Sequence, residues 1–166
     1  MSTPYAEPLA RRAESGHRQA FRVMYNCGMP ALDRDHQIVR NALTKDGWTI
    51  THDPLTIEYD KRDLHIDLGA ERLIAAERGA EKIAVEIKTF AGVSDVANLH
   101  NATGQYVVYK SVLALVEPER RLLLAVPSDV ANTFFREDLG ALLIQNGTLQ
   151  IVGYDLSDER ITIWLP

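Results

Sequence analysis

A single cysteine, Cys27, stands in 166 residues, so no internal disulfide can form. Nothing beside it supplies a base that would activate it as a nucleophile. No run of about 18 apolar residues occurs, which excludes a membrane-spanning helix. The first residues lack the apolar core of a secretory signal. The missing signal and the missing Cys framework both suit the cytoplasm. Positive charge is also short: 18 Lys and Arg face 23 Asp and Glu, for a net charge of −5. That argues against a non-specific polyanion binder. The deficit is uneven, because residues 1–40 hold six bases against four acids and the remainder twelve against nineteen. No Gly-rich phosphate loop, no zinc spacing of Cys and His, and no G-x-S-x-G occurs. These absences argue against a nucleotide-hydrolysing motor, a zinc finger and a serine hydrolase.

With 46% hydrophobic and 25% charged residues, the chain suits one domain with a real core. Residues 1–28 have weak periodicity and read as a flexible extension, with Met29 as an alternative start. A single domain is expected over 29–166. An amphipathic helix is predicted over 33–45, with Ile38, Val39, Ala42 and Leu43 as its apolar stripe. Asp33 or Asp35 is its expected cap or first-turn acid, and Gly47 its stop. Extended runs follow at 48–51, 55–59, 64–68 and 73–77, and Arg78-Gly79-Ala80-Glu81 reads as a hairpin connection. A strand over 83–90 comes next. Ser94 or Asp95 should cap a long helix over 95–116, with Leu99, Tyr106 and Leu113 inward. Leu122 to Val126 is a continuous apolar run, the pattern of a strand buried on both faces. Ser128 or Asp129 should cap a helical stretch broken near Gly140, and strands are expected over 149–155 and 160–165. The expected class is a mixed α/β (α+β) sheet with helices on both sides.

The strand over 83–90 concentrates the chemistry. Ile83, Val85 and Ile87 share one face; Ala84, Glu86, Lys88 and Phe90 share the other. Glu86 and Lys88 lie about 6–7 Å apart along the strand. Alone, such a pair is better explained as a surface ion pair. Asp67, at the end of the 64–68 strand, changes the balance if both strands belong to one antiparallel array. Asp67, Glu86 and the Ile87 backbone carbonyl would then offer hard oxygen ligands of the kind Mg²⁺ takes. Lys88 could orient a water or neutralise phosphate charge. On spacing alone, two unrelated surface acids fit equally well. Gln105 and Tyr109 are four apart and share one face of the long helix. Asp35 or His36 could complete a metal shell, although helix capping and solvation are the simpler readings. His65 could support Asp67 from behind.

Asp67, then Glu86-Ile87-Lys88, then Gln105 and Tyr109 follow the order of the PD-(D/E)XK nuclease superfamily, including the Q-x-x-x-Y helix of its RecB-like members. Further stretches resemble the XisH family, the fdxN element excision controlling factors. They include Lys45-Asp46-Gly47-Trp48, Thr51-His52-Asp53-Pro54-Leu55, Ile66-Asp67-Leu68-Gly69-Ala70-Glu71, Ala84-Val85-Glu86-Ile87-Lys88 and Ala125-Val126-Pro127. The likeness runs from Met29 to Pro166. Ile66 stands where the superfamily's literal motif has Pro. The resemblance implies a restriction-endonuclease-like fold of order αβββαβ, followed by a helix and two C-terminal strands. It implies a Mg²⁺- or Mn²⁺-dependent endonuclease-like site. Asp67, Glu86, Lys88, Gln105 and Tyr109 would be catalytic, and Asp67, Glu86 and the Ile87 carbonyl would hold the metal, with Asp35 or His36 as an added ligand. It also implies a role in programmed excision of a DNA element, beside a site-specific recombinase and a small XisI-like protein. The acidic body means that DNA affinity should depend on a metal, a homodimer or another protein. The alternative is a regulatory protein that keeps the fold for binding and does not cut.

Overall fold

The computed structural model describes residues 31–58, 65–66, 74–90 and 94–166. The expected extension over 1–28, the Met29 start and Asp67 lie outside the described residues.

Helix α1 (Ala31–Lys45) buries Ile38, Val39, Ala42 and Leu43, the stripe its periodicity predicts. It starts two residues before the expected position, so Asp35 lies beyond the first turn. Its carboxylate meets the core and not the helix end. Gly47 closes the helix at φ +87°, a left-handed conformation that favours glycine. Then come β1 (Thr49–His52), β2 (Ile57–Glu58), β3 (His65–Ile66), β4 (Ile74–Arg78) and β5 (Glu81–Ile87). Gly79 and Ala80 join β4 to β5, with Arg78 paired to Glu81.

Helix α2 (Asp95–Val116) has the predicted bounds, and Ser94 caps it by accepting from the Ala97 amide at 3.3 Å. Strand β6 (Arg120–Pro127) follows, then α3 (Ser128–Asn132), α4 (Asp138–Gln145), β7 (Ile151–Asp155) and β8 (Arg160–Leu165).

One six-stranded sheet runs β1-β4-β5-β6-β7-β8. β6 pairs parallel with β5 and with β7, and the other pairs are antiparallel. Parallel neighbours need crossover connections, which α2 and the α3–α4 pair provide. Centrally placed, β6 is covered on both faces, as its unbroken apolar run predicts. Strand β5 sorts its side chains by parity. Ile83, Val85 and Ile87 join a core with Ile38, Val39, Leu43 and Trp48 on the α1 side. Ala84 joins a second core with Leu99, Tyr106, Tyr109 and Leu113 of α2.

Several expectations are corrected. Among the described residues five strands precede α2, matching the five extended runs and not the order αβββαβ. β2 and β3 form a separate antiparallel pair, Ile57 opposite Ile66, instead of joining one array with β4 and β5. Leu55 and Ile57 sit in the α2-side core, so this pair lies over that face. Ser128 is the first residue of α3 and not its cap, and its hydroxyl meets Thr162 Oγ1 at 2.5 Å. The break between α3 and α4 falls at residues 133–137. Gly140 lies inside α4, where a Cβ would collide with the Phe134 carbonyl. A bulge opposite Gly153 and Tyr154 turns β8 over, so Ile161 serves the α1-side core and Ile163 the other.

Candidate functional site

Strand parity aims Glu86 and Lys88 at α2, away from the apolar α1-side core. Both are removed from solvent: Glu86 is 0% exposed and Lys88 9%. Lys88 Nζ lies 3.4 Å from Glu86 Oε1 and donates to Gln105 Oε1 at 2.5 Å. A charge at such depth is costly unless opposite charge and hydrogen bonds surround it. The ammonium therefore bridges a strand acid and a helix amide, and the helix fixes its position. Tyr109, one turn beyond Gln105, is buried in the same core. Tyr106 has a different duty. Its hydroxyl donates to the Leu122 carbonyl at 2.6 Å and accepts from the Gln150 amide at 3.2 Å, tying α2 to the sheet. Burial pushes that hydroxyl up to about 12.

The Lys88 amide donates to the Ala125 carbonyl at 2.9 Å. Successive peptide groups of a strand alternate sides, so the Ile87 carbonyl points away from β6, toward β4. Among the described residues the β4 register reaches Ile74 opposite Val85 and stops short of Ile87.

Asp35 and His36 have other partners. Asp35 accepts from the Tyr154 hydroxyl at 3.0 Å and from Arg34 Nε at 3.2 Å. Burial, then the adjacent Asp35 carboxylate, pushes the Tyr154 hydroxyl well above its ordinary range. His36 Nε2 lies 2.8 Å from Asp53 Oδ1, and Arg40 stands 3.5 Å from the other Asp53 oxygen. Tyr154 belongs to the α1-side core, so the Asp35 pair and Glu86 occupy opposite faces of the sheet. In the sequence Asp53 stands out only as part of the family-like stretch Thr51 to Leu55. Nothing local pointed to Tyr154, which is 119 residues from Asp35.

As a donor set, the Glu86 carboxylate and Ile87 carbonyl are hard oxygens suited to Mg²⁺ or Mn²⁺. Among the described residues, no group of three or more His, Cys, Asp or Glu converges on a metal position. The set fits in kind and needs another acid; the expected one, Asp67, lies outside the described residues.

A family model described as "XisH protein" matches residues 29–162. The chain belongs to the XisH family. A solved XisH family protein from Nostoc punctiforme PCC 73102 is 42% identical over 81% of this chain and 100% of that one, with a TM-score of 0.71. A solved fdxN element excision controlling factor protein from Anabaena variabilis is 41% identical over 81% of this chain and 99% of that one, also at 0.71. No curated protein matches. Among the described residues no helix is long and apolar enough to cross a membrane.

Proposed function

We propose that this XisH chain is an excision controlling factor that acts in the cytoplasm on programmed DNA rearrangement. Its Glu86–Lys88–Gln105 cluster is read as a phosphodiester-hydrolysing site of the PD-(D/E)XK kind. The observation that carries this reading is the buried Lys88, held between Glu86 and a helix amide where a solvated surface pair would have been the plain alternative. Glu86, the Ile87 carbonyl and Asp67 would hold Mg²⁺ or Mn²⁺. Asp67 follows Ile66 directly, and Ile66 pairs with Ile57 of the α2-side core. The ion would supply Lewis acidity toward a phosphate oxygen and a water.

The chain's own residues then have distinct tasks. Gln105 fixes the Lys88 ammonium by accepting from it. Lys88 orients a water and offsets charge that develops on phosphate. Tyr109 lines the next turn of the same helix face, where its hydroxyl suits a phosphate oxygen. Asp35 and His36 stay structural in this reading, since Tyr154 and Asp53 engage them.

A second reading is favoured by the full burial of Glu86. A side chain with no exposed surface suits a fold kept for binding an XisI-like protein or a recombinase. One assay separates the two. Purified chain, with and without an XisI-like protein, is given Mg²⁺ or Mn²⁺ and linear, branched and supercoiled DNA. Cutting that disappears in both Glu86→Ala and Lys88→Ala supports the nuclease. No cutting of any substrate, with partner binding intact, supports the regulator.

A further inference from the structure

Among the described residues, nothing explains Asn98. It lies one turn into α2, where its backbone amide donates to the Ser94 carbonyl at 3.1 Å. Ser94 caps the helix, so the Asn98 side chain has no capping duty. Asparagine is a weak helix former because its side chain competes for backbone groups in other conformations. Here the side-chain amide takes no backbone group either. Its Nδ2 is buried and, among the described residues, has no hydrogen-bond partner. Buried donors in folded proteins are nearly always paired, and each exception needs a physical reason.

Its place on the helix supplies one. Asn98 precedes Gln105 by seven residues and Tyr109 by eleven. Those spacings are close to two and three full turns, so the three side chains fall within about 40° of one another around α2. Toward the C-terminus the same stripe continues as buried Val112. The stripe is therefore apolar at one end and amide-bearing at the other. β5 and β6 are parallel, so α2 must run back against both. The step of roughly 10 Å from Gln105 to Asn98 thus leads past the Lys88 contact, toward the carboxyl end of β5. Ligands bind at that end in sheets of this kind.

We propose that Asn98 binds substrate: its Nδ2 donates to a non-bridging oxygen of a DNA phosphate that flanks the one cleaved. The inference rests on the phosphodiester-hydrolysing reading of the Glu86–Lys88–Gln105 cluster and adds a contact that positions the strand over it. An amide N–H only donates, so its partner must be an acceptor. Phosphate oxygens take a large share of the hydrogen bonds that proteins make to DNA, and uncharged amides are among the groups that reach them. A neutral donor also suits a buried place, where a further ammonium would carry a heavy desolvation cost. Lys88 then meets the reacting phosphate and Asn98 its neighbour. One face of α2, through Gln105 and Asn98, thereby sets the register of the bound strand.

The test is cleavage of linear and branched oligonucleotide duplexes under Mg²⁺ by the full chain, as wild type, Asn98→Ala, Asn98→Asp and Lys88→Ala, beside melting temperatures. N98A should raise KM about tenfold and lower kcat much less, the mark of a contact made equally in ground and transition states. N98D keeps the shape but sets negative charge against phosphate, and should raise KM about 100-fold. N98A should melt at the same temperature or higher, since alanine is the better helix former and no internal bond is lost. Single methylphosphonates placed around the cut identify the contact as one to phosphate. At one position the neutral linkage should weaken the wild type about tenfold and N98A not at all. Wild-type KM in both N98A and N98D, with cutting lost in K88A, overturns this inference and leaves the reading of the cluster standing. So does a lower melting temperature in N98A, or a methylphosphonate series that costs both chains alike. A wild type that cuts no DNA overturns both.

Discussion

Glu86 and Asp35 are both acids withdrawn from water, 0% and 2% exposed, on opposite faces of one sheet. Asp35 is met by a tyrosine hydroxyl from β7 and by its own helix neighbour Arg34. The Tyr154 bond pins α1 to the sheet. Glu86 is met by Lys88, an ammonium that Gln105 holds from α2. The first pattern is a fastening. The second brings an acid, a base and a helix amide together at the end of a central strand, beside a parallel crossover. Ligand sites favour the carboxyl ends of strands in such sheets. Burial alone therefore does not distinguish structure from function; the identity of the partners does.

The contrast can be broken at four points. Glu86→Gln keeps size and removes charge, so metal-dependent cleavage should fall by roughly 1000-fold or more while the fold survives. A gel assay beside circular dichroism reads both. Alkaline pH should act next. The Tyr106 hydroxyl is raised by burial to about 12 in the folded chain against 10.0 when unfolded. Above pH 10 the unfolded chain therefore holds fewer protons than the native one, and stability falls as pH rises from 10 toward 12, by on the order of 2 kcal/mol. Tyr154 is shifted the same way and adds to this loss. Denaturant melts at pH 8, 10 and 11.5 should register the slope, and a flat profile would contradict the burial of both hydroxyls. Tyr154→Phe should then cost about 1.5 kcal/mol, because Asp35 loses a buried donor; cleavage should be unchanged at a temperature where the variant is folded. Gln105→Ala is the mildest. Loss of one positioning contact to Lys88 should lower cleavage about tenfold, with a melting shift of only a few degrees.

Much of the fold was legible from short-range pattern. The parity of β5 assigned Ile83, Val85 and Ile87 to one core and Glu86 and Lys88 to the other face. Ser94 and the apolar spacing of Leu99, Tyr106 and Leu113 fixed α2. The unbroken run Leu122 to Val126 announced a central strand. Other features were long-range or local in ways that pattern does not encode. Asp35 sits where a cap residue is plausible, yet its partner is a tyrosine far along the chain. Gly140 looks like a break, but its role is to let α4 lie against the Phe134 carbonyl. Period-two alternation identified the β2 and β3 stretches without saying that they pair with each other and not with β4. At the site, spacing placed Gln105 on the correct side of α2, and its bond to Lys88 came only with the packed structure.

The most direct test is a Mn²⁺ titration of the wild-type chain, Glu86→Gln and Asp35→Asn, followed by calorimetry or by the spin-resonance signal of free Mn²⁺. Both substitutions conserve shape and remove one buried acid, each from its own face of the sheet. The account predicts saturable binding in the wild type, loss of it in E86Q, and full retention in D35N. Binding that survives in E86Q, or that D35N abolishes, would contradict it, as would a wild type that binds no metal.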